Sequence, residues 1–214
     1  MDTLIYLIAR SLVKFLQALP LRWVARLGRW GGALAYHLDA RHRRVTIGNL
    51  NLAFGREKTP GEVREIARET FRRLGENYAS AVKTASMTQE ALDRHLEIVG
   101  AESMREFIQN EFSLVAAVGH FGNFEVYARA HRLFPGYSFA TTYRALRQPK
   151  LDKILADLRS GSGCMMFERR RDKEALLHAM RHQRLAIGFL SDQHAGKSGV
   201  KVPFFGHDCS TTMA

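Results

Sequence analysis

Short apolar runs alternate with amphipathic stretches in the second half of the chain, and this alternation constrains the fold more than any other feature. A short apolar run is typical of a buried strand, and an amphipathic stretch between two runs predicts a covering helix. We therefore predict an α/β fold with a mixed, largely parallel sheet flanked by helices. The predicted strands are LEIVG at 96–100, SLVAAVG at 113–119, YSFATTY at 137–143, CMMF at 164–167 and LAIGFLSD at 185–192, and the predicted helices lie near 101–111, 122–133, 148–160 and 171–184.

A strong helix signal precedes this region. Thr59 and Glu62 form a capping box, with Pro60 in the first turn. Apolar residues then recur every three or four positions, which predicts a helix over 59–84 with one face in the core. The segment at 39–44 is polar and basic, and we predict that it opens a helix-to-loop connection ending near residue 54.

The N-terminal region is the most apolar part of the chain, but Arg10 and Lys14 interrupt its first apolar run. No stretch reaches the roughly 18 apolar residues of an independent transmembrane helix. A cleavable signal peptide is also disfavoured, because a positive segment before the apolar run is missing. Insertion of residues 4–19 into a bilayer stays an alternative, since both basic side chains can snorkel to its surface.

A second amphipathic segment follows Pro20. Its arginines lie at helical spacing beside an apolar stripe that includes Trp23 and Trp30. A basic helix with tryptophans on its apolar side suits an anionic membrane surface. We predict N-terminal membrane-associating helices over 1–38 and an α/β domain over 39–214. In the alternative interpretation, the apolar stripe packs on its own domain.

The composition narrows the class of partner. The 214 residues include 32 Lys and Arg against 21 Asp and Glu, a net charge of +11, which favours phosphate groups, acidic lipids or an acidic carrier protein. Apolar residues make up 46%, enough to exclude a disordered chain. Cys164 and Cys209 lack metal-binding or redox spacing, so we expect no disulfide framework and a reducing compartment.

Candidate catalytic residues follow the second predicted strand, in GHFGNFE at 119–125. Ligands of parallel sheets bind beyond the carboxyl ends of the strands, and the amides of a helix N-terminus hold anions. His120 is a candidate general base, and Glu125 a candidate orienter of its imidazole. Because no Ser or Cys lies nearby, the substrate would supply the nucleophile. The alternative is structural: a polar residue at a strand end, and a carboxylate favoured by the helix dipole.

This segment resembles the H-x-x-x-x-[DE] acyltransferase signature in its Glu form, which is typical of the late lipid A acyltransferases. These are the lauroyl and myristoyl transferases of the lysophospholipid acyltransferase superfamily. The resemblance extends over nearly the whole chain, and the combination is far more specific than any single motif. The other similar passages are RHRRVTIGNLNLAFG at 41–55, the helix at 59–84, Tyr143-Arg144 with QPKLD at 148–152, and Asp192-Gln193 with VPFFG at 202–206.

The resemblance implies transfer of a fatty acyl group from a thioester of acyl carrier protein or coenzyme A to a hydroxyl of a lipid A precursor or similar glycolipid. His120 would take the proton of the hydroxyl, Glu125 would orient the imidazole, and Gly122, Asn123 or nearby amides would hold the oxyanion. No metal and no cofactor is implied besides the acyl donor. The site would face the cytoplasmic side of the bacterial inner membrane, because acyl carriers are cytoplasmic.

Further residues are implied in substrate binding. Arg144 would bind an acceptor phosphate or assist the oxyanion, with a structural ion pair as the alternative. Asp192, followed by Gln193, would position substrate or pair with Arg144. Members of the family commonly continue well beyond the VPFFG segment, so we expect a C-terminally truncated chain that lacks part of the sheet or acyl pocket. The alternative is an unusually short relative.

Two other functions stay open. The closer one is the same chemistry on a lysophospholipid, a glycosylated phospholipid or an aminolipid. The distant one is a basic membrane-binding module without turnover; no nucleic-acid signature is present. His178 and His182 lie four apart but lack a third metal ligand, so we expect an exposed helix face. Arg159 and ERRR at 168–171 form a basic group that contacts a carrier or head-group phosphate, or else is simply solvated.

Overall fold

A computed structural model of the chain describes residues 2–100, 102, 113–133 and 135–212. These residues divide into two compact units, each with its own sheet and helices. The domain boundary after residue 38 stays a prediction. The first unit contains the described residues of Met1–Ala18, Val82–His120 and Phe124–Leu190, and the second those of Leu19–Ala81, Phe121–Asn123 and Ser191–Ala214.

Helices dominate the N-terminal part of the chain, and strands alternate with helices after it. In chain order the elements are α1 Asp2–Ala18, α2 Leu21–Leu38, α3 Ala40–Phe54, α4 Pro60–Thr84, α5 Gln89–Asp93, β1 Leu114–Val118, a 3-10 helix Phe124–Leu133, β2 Ser138–Tyr143, α6 Pro149–Ser160, β3 Met165–Glu168, α7 Lys173–His182, β4 Leu185–Leu190, a short 3-10 helix Gly196–Ser198, β5 Val200–Phe204 and β6 His207–Thr211.

The first unit is built on a parallel sheet of four described strands in the order β1-β4-β2-β3. Leu185 and Ile187 on central strand β4 are 0% and 1% exposed, and they pack on Phe167 of β3 and Ala179 of α7. Ala186, on the opposite face, packs against another cluster. A central strand covered on both faces explains the uninterrupted apolar run of β4. The parallel α/β fold and the four strands predicted from residue 113 onward are confirmed.

The strand predicted at 96–100 is wrong. These residues belong to no helix or strand in the described structure. Gly100 has a φ of +81°, in the left-handed region, so the backbone turns where a strand would continue. Ile98 and Val99 instead line a cavity, which accounts for their apolar character. The helix predicted near 101–111 lies outside the described residues, apart from residue 102.

The second unit contains α2, α3 and most of α4, together with the β5–β6 hairpin. The predicted capping box is confirmed: the Thr59 backbone N–H donates to Glu62 Oε2 at 2.8 Å, and the Glu62 N–H donates to Thr59 Oγ1 at 3.3 Å. Tyr36 of α2 and Phe71 of α4 meet edge to face in the core, with ring centroids 5.5 Å apart. In the described residues, antiparallel pairing is found in the hairpin and in one isolated bridge, between His194 and Thr211.

The connection predicted to run as a loop towards residue 54 is wrong, because these residues form helix α3. Asp39 caps the helix by accepting the His42 backbone N–H at 3.0 Å. Ile47 and Leu50 then pack against the cluster around Phe71. A weakly amphipathic segment is therefore stabilised as a helix by its cap and by tertiary packing.

Three glycines allow α2 and α4 to approach closely. A Cβ at Gly28 or Gly32 would overlap the backbone carbonyls of Gly75 or Phe71 on α4, and one at Gly75 would overlap the Gly28 carbonyl. Arg29, between the two α2 glycines, donates to Glu69 at 2.9 Å and to Glu76 at 3.0 Å. The two helices therefore pack backbone to backbone, with an ion-pair cluster beside the contact.

Gly28→Ala is expected to destabilise the protein by about 1–3 kcal/mol, because the new methyl group forces the helix backbones apart. Gly31→Ala is the matched control on the same helix, since its Cβ would meet nothing within 4 Å. The control should stabilise by about 0.5–1 kcal/mol through helix propensity. Urea denaturation followed by circular dichroism measures both changes. Equal effects of the two substitutions would contradict the close packing.

No helix in the described part of the chain is both long enough and apolar enough to cross a membrane.

Candidate active site

His120 lies two residues after β1, at the carboxyl edge of the parallel sheet. Its half-buried ring meets the Phe124 ring edge-on, with centroids 4.9 Å apart and planes at 72°. Phe124 begins the 3-10 helix, which replaces the α-helix predicted over 122–133. Gly122, with a φ of +58°, allows the sharp turn between strand and helix. The imidazole therefore stands at a strand end, where parallel sheets bind ligands.

Glu125, in the first turn of the 3-10 helix, forms a two-pronged ion pair with Arg159 in the last turn of α6. Arg159 Nε donates to Glu125 Oε2 at 2.9 Å, and Nη2 donates to Oε1. The side chains are 18% and 27% exposed for Arg159 and Glu125 respectively. A guanidinium fork on both oxygens fixes the plane of the carboxylate.

The ion pair changes how the candidate catalytic residues are connected. The sequence predicted that Glu125 orients His120. In the structure, the Glu125 carboxylate is held by Arg159. Each carboxylate oxygen has two acceptor positions, so a carboxylate bound to a guanidinium fork can still accept an imidazole N–H. The contact between Glu125 and His120 stays a prediction.

Sequence reasoning missed the position of Arg159, which it grouped with the basic residues at 168–171. The structure corrects this: Arg159 contacts Glu125, 34 positions away in the chain. An arginine in the last turn of an amphipathic helix is an ordinary sequence feature, favoured by the helix dipole. No local pattern therefore distinguishes it, and only the packing of α6 beside the 3-10 helix reveals the pair.

An apolar cavity of about 570 Å³ lies within the first unit, along β1, β2 and β4. Phe124, the ring that packs on His120, forms part of its wall, and Phe139 and Met166 line it further along. Among the described residues that line it, Glu125 and Arg159 are the charged ones. This volume is within the range of about 300–1,000 Å³ that is typical of ligand pockets, and apolar walls suit an aliphatic chain.

Cys164 also lines this cavity, and burial raises the pKa of its thiol from 9.0 to about 11. Arg159 opposes this change and Glu125 adds to it, but both effects are smaller. The thiol is therefore protonated at neutral pH and behaves as a small apolar group of the wall.

Alkylation of Cys164 should be about a hundredfold slower at pH 8 than that of an ordinary thiol, because a buried thiol with a higher pKa has a far smaller thiolate fraction at that pH. A Cys209→Ser variant isolates the reaction, and iodoacetamide labelling between pH 7 and pH 12 measures it by mass spectrometry. The rate should rise until about pH 11. A labelling rate that stops rising below pH 9.5 would contradict the burial of this thiol.

The other predicted site residues are divided between the two units. Arg144 is exposed directly after β2, in the same unit as His120 and Glu125. The second unit holds the remaining four, and their predicted roles stay predictions. These are exposed Gly122, half-buried Asn123, and the exposed residues Asp192 and Gln193, which follow β4 in the chain.

The two histidines of α7 lie on an exposed helix face, as predicted. The rings of His178 and His182 stack with centroids 4.2 Å apart, and His182 Nδ1 lies 2.9 Å from the His178 carbonyl oxygen. Within residues 2–100, 102, 113–133 and 135–212, no three His, Cys, Asp or Glu side chains are grouped to hold a metal ion.

A strand-end histidine, an acidic residue five positions later and an apolar cavity beside them agree with the family to which the sequence is similar. Residues 2–214 match the bacterial lipid A biosynthesis acyltransferases, and the chain belongs to this family. It is therefore an acyltransferase of lipid A biosynthesis. No curated protein matches the chain.

Proposed function

We propose that this acyltransferase moves a fatty acyl chain from an acyl carrier thioester to a hydroxyl of a lipid A precursor or a similar glycolipid. The observation that carries the proposal is the apolar cavity of about 570 Å³, whose wall includes the phenylalanine that packs on His120. Each methylene of an aliphatic chain gains about 0.8 kcal/mol on burial in such a cavity. An acyl chain bound there has its reactive end beside a candidate general base.

In the proposed reaction, the acceptor hydroxyl oxygen attacks the thioester carbonyl while His120 takes its proton. The tetrahedral intermediate then collapses, the new C–O bond persists, and the C–S bond breaks. The thiolate leaving group takes the proton back from the imidazolium. Acyl transfer therefore proceeds directly between donor and acceptor, without a covalent acyl-enzyme, and needs neither a metal nor a cofactor for its electron balance.

Glu125 stabilises the imidazolium in this scheme and selects the tautomer that leaves Nε2 or Nδ1 free to accept the proton. The ion pair with Arg159 supports this role, because a carboxylate fixed by a fork cannot rotate away from the site. Gly122 and Asn123 supply amides for the oxyanion, a function that the turn between strand and helix favours. The arrangement uses short-range hydrogen bonds that strengthen as charge develops.

Further residues bind the acceptor in this proposal. Arg144, exposed at the carboxyl end of β2, offers a guanidinium to an acceptor phosphate. Asp192 and Gln193 position the sugar hydroxyls or pair with Arg144. The net charge of +11 favours both an anionic acceptor and an acidic carrier.

Membrane association is part of the proposal and is supported first by α1. Leu4, Ile8, Leu12 and Phe15 recur every three or four positions and are 54–63% exposed. They form one apolar face of a helix that carries Arg10 elsewhere on its surface. A lipid surface accepts such a face while the basic side chains meet its phosphates.

Helix α2 supports the same proposal independently. One of its faces packs on α4 through Gly28 and Gly32, while Trp30 and Leu34 on another face are 78% and 59% exposed. Tryptophan is favoured at the boundary between lipid and water. We place the enzyme at the cytoplasmic face of the bacterial inner membrane, where acyl carriers are found.

Acyl transfer to a panel of lipid acceptors tests the proposal. Labelled acyl carrier protein and acyl coenzyme A are offered with a lipid A precursor, a lysophospholipid, a glycosylated phospholipid and an aminolipid. Mass spectrometry should show a new ester on the lipid A precursor. An ester on another acceptor alone would assign the same chemistry to a different lipid. No product with any donor and acceptor would contradict the proposal and favour a membrane-binding module without turnover.

A further inference from the structure

Two loops at the carboxyl edge of the sheet carry exposed arginines, of which the proposed chemistry uses Arg144 alone. The β2–α6 loop has Arg144 and Arg147, and the β3–α7 loop has Arg169, Arg170 and Arg171, all of them exposed. We call the four that the proposed chemistry does not use the arginine edge: Arg147, Arg169, Arg170 and Arg171. It lies within the first unit, on the side of the sheet where the chain leaves β1 towards His120.

The arginine edge is held together by the sheet. Tyr143, the last residue of β2, lies opposite Glu168, the last residue of β3. The Arg169 backbone N–H donates to the Tyr143 carbonyl at 3.0 Å, which extends the ladder by one bond into the loops. Two adjacent parallel strands lie about 4.8 Å apart, so the loops that follow them present their side chains as one surface.

Carboxylates in or beside the two loops bind backbone N–H groups. Glu168, 3% exposed, accepts from the N–H groups of Arg170 at 2.8 Å and Arg171 at 3.0 Å. These bonds hold the pKa of the Glu168 carboxyl below its ordinary range, and the bond from Arg170 has the largest effect. Burial of the carboxyl acts in the opposite direction. Asp172 accepts the Glu168 N–H at 2.7 Å, and Asp152 accepts the Leu146 N–H at 2.8 Å.

This bonding fixes the backbone of both loops and leaves the positive charge facing solvent. The closest approach to these carboxylates is from Arg171, whose Nε lies 3.8 Å from Glu168 Oε2 and whose side chain is 70% exposed. Leu146, 46% exposed, adds an apolar side chain among the arginines. Arginine is enriched at protein interfaces, which combine apolar and charged side chains.

The distance from His120 points to the kind of partner. In the order β1-β4-β2-β3, the β3–α7 loop is three strand spacings, about 14 Å, from the end of β1. A phosphate group held by the β3–α7 loop therefore lies well away from the imidazole. A carrier protein has to bind at such a distance, because its thioester is at the end of an extended arm.

We infer that the arginine edge is the docking surface for an acidic acyl carrier protein, which extends its thioester arm from there to His120. The inference rests on the proposed function, since it presupposes a carrier thioester as donor. Several guanidinium groups spread over two loops match an acidic protein surface better than one lipid phosphate. Such complementary charge accelerates association more than it tightens the complex.

The double variant Arg170→Glu/Arg171→Glu tests the inference with the full chain and acylated carrier protein. The KM for the carrier should rise about tenfold, and kcat should stay unchanged, because repulsion slows docking and leaves the site intact. The KM for acyl-pantetheine, a thioester without the protein, should not move. Raising the salt concentration should reduce the difference, since exposed charges are screened.

Arg181→Glu is the control. It reverses one positive charge at the other end of α7, near the amino edge of the sheet, and should leave the KM for the carrier unchanged. Arg170→Gln/Arg171→Gln is the second variant, for the case in which the double reversal does not fold. It removes two positive charges, keeps both backbone N–H groups for Glu168, and should raise the same KM about threefold.

Three outcomes would overturn the inference. If the KM for carrier stays constant while binding to phosphatidylglycerol vesicles falls, the arginine edge is a lipid site. If kcat falls equally with the carrier and with acyl-pantetheine, the loops belong to the catalytic machinery. If the wild-type chain transfers acyl groups from no thioester, the proposed function fails together with the inference. In the first two outcomes the wild-type chain is active, so only the inference fails.

Discussion

His120→Ala is expected to lower kcat for acyl transfer by about 10²–10⁴-fold, the largest effect of any single substitution in this chain. The imidazole stands at the carboxyl end of β1, beside the phenylalanine that lines the cavity. Because the proton moves only in the transition state, the KM for the acyl donor should change by no more than about twofold. Steady-state kinetics with a saturating lipid acceptor measure both constants.

The matched control for this substitution is His178→Ala, which removes an exposed imidazole from α7. It should leave kcat and the melting temperature unchanged. Retention of more than a tenth of wild-type activity in His120→Ala would exclude the histidine as general base. A matched fall in stability would instead assign it a structural role, so the melting temperature has to be measured for both variants.

Arg159→Met is expected to lower activity about a hundredfold and stability by about 2 kcal/mol. The substitution leaves Glu125, 27% exposed, at the cavity wall without its guanidinium partner. The carboxylate is then free to rotate, so it no longer presents one fixed oxygen to the site. The stability loss lies between that of a buried and an exposed ion pair, because the side chains are partly exposed.

Two further variants separate charge from geometry. Arg159→Lys keeps the charge but loses the planar fork, so it should recover stability more fully than activity. Lys153→Met is the control on the same helix, since its pair with Asp157 spans 3.3 Å and both side chains are more than 60% exposed. It should leave both quantities unchanged. Wild-type activity in Arg159→Met would show that Glu125 needs no fixed orientation.

The elements that sequence reasoning placed correctly are those with strong local signals. Strand β4 has a continuous apolar run because both its faces are covered. Helix α4 begins at the predicted capping box, and both of its hydrogen bonds are present in the structure. Both signals depend on residues within a few positions of one another, so the chain itself encodes them without reference to its tertiary neighbours.

The errors have the opposite character. Residues 96–100 have the composition of a strand, but Ile98 and Val99 line a cavity and Gly100 has a positive φ. Residues 40–54 have a weak helical pattern, and packing of Ile47 and Leu50 makes them a helix. In the second case a distant contact outweighs a marginal local preference, which no pattern within the segment reveals.

The sequence by itself determined the parallel α/β class, the strand that precedes His120, and the segment that led to the acyltransferase family. These follow from periodicity and from spacing along the chain. Only the tertiary structure decided that Glu125 is held by Arg159, that an apolar cavity adjoins the histidine, and that arginines of two loops share one edge. The reason is physical: such features arise between residues far apart in the chain, and packing brings them together.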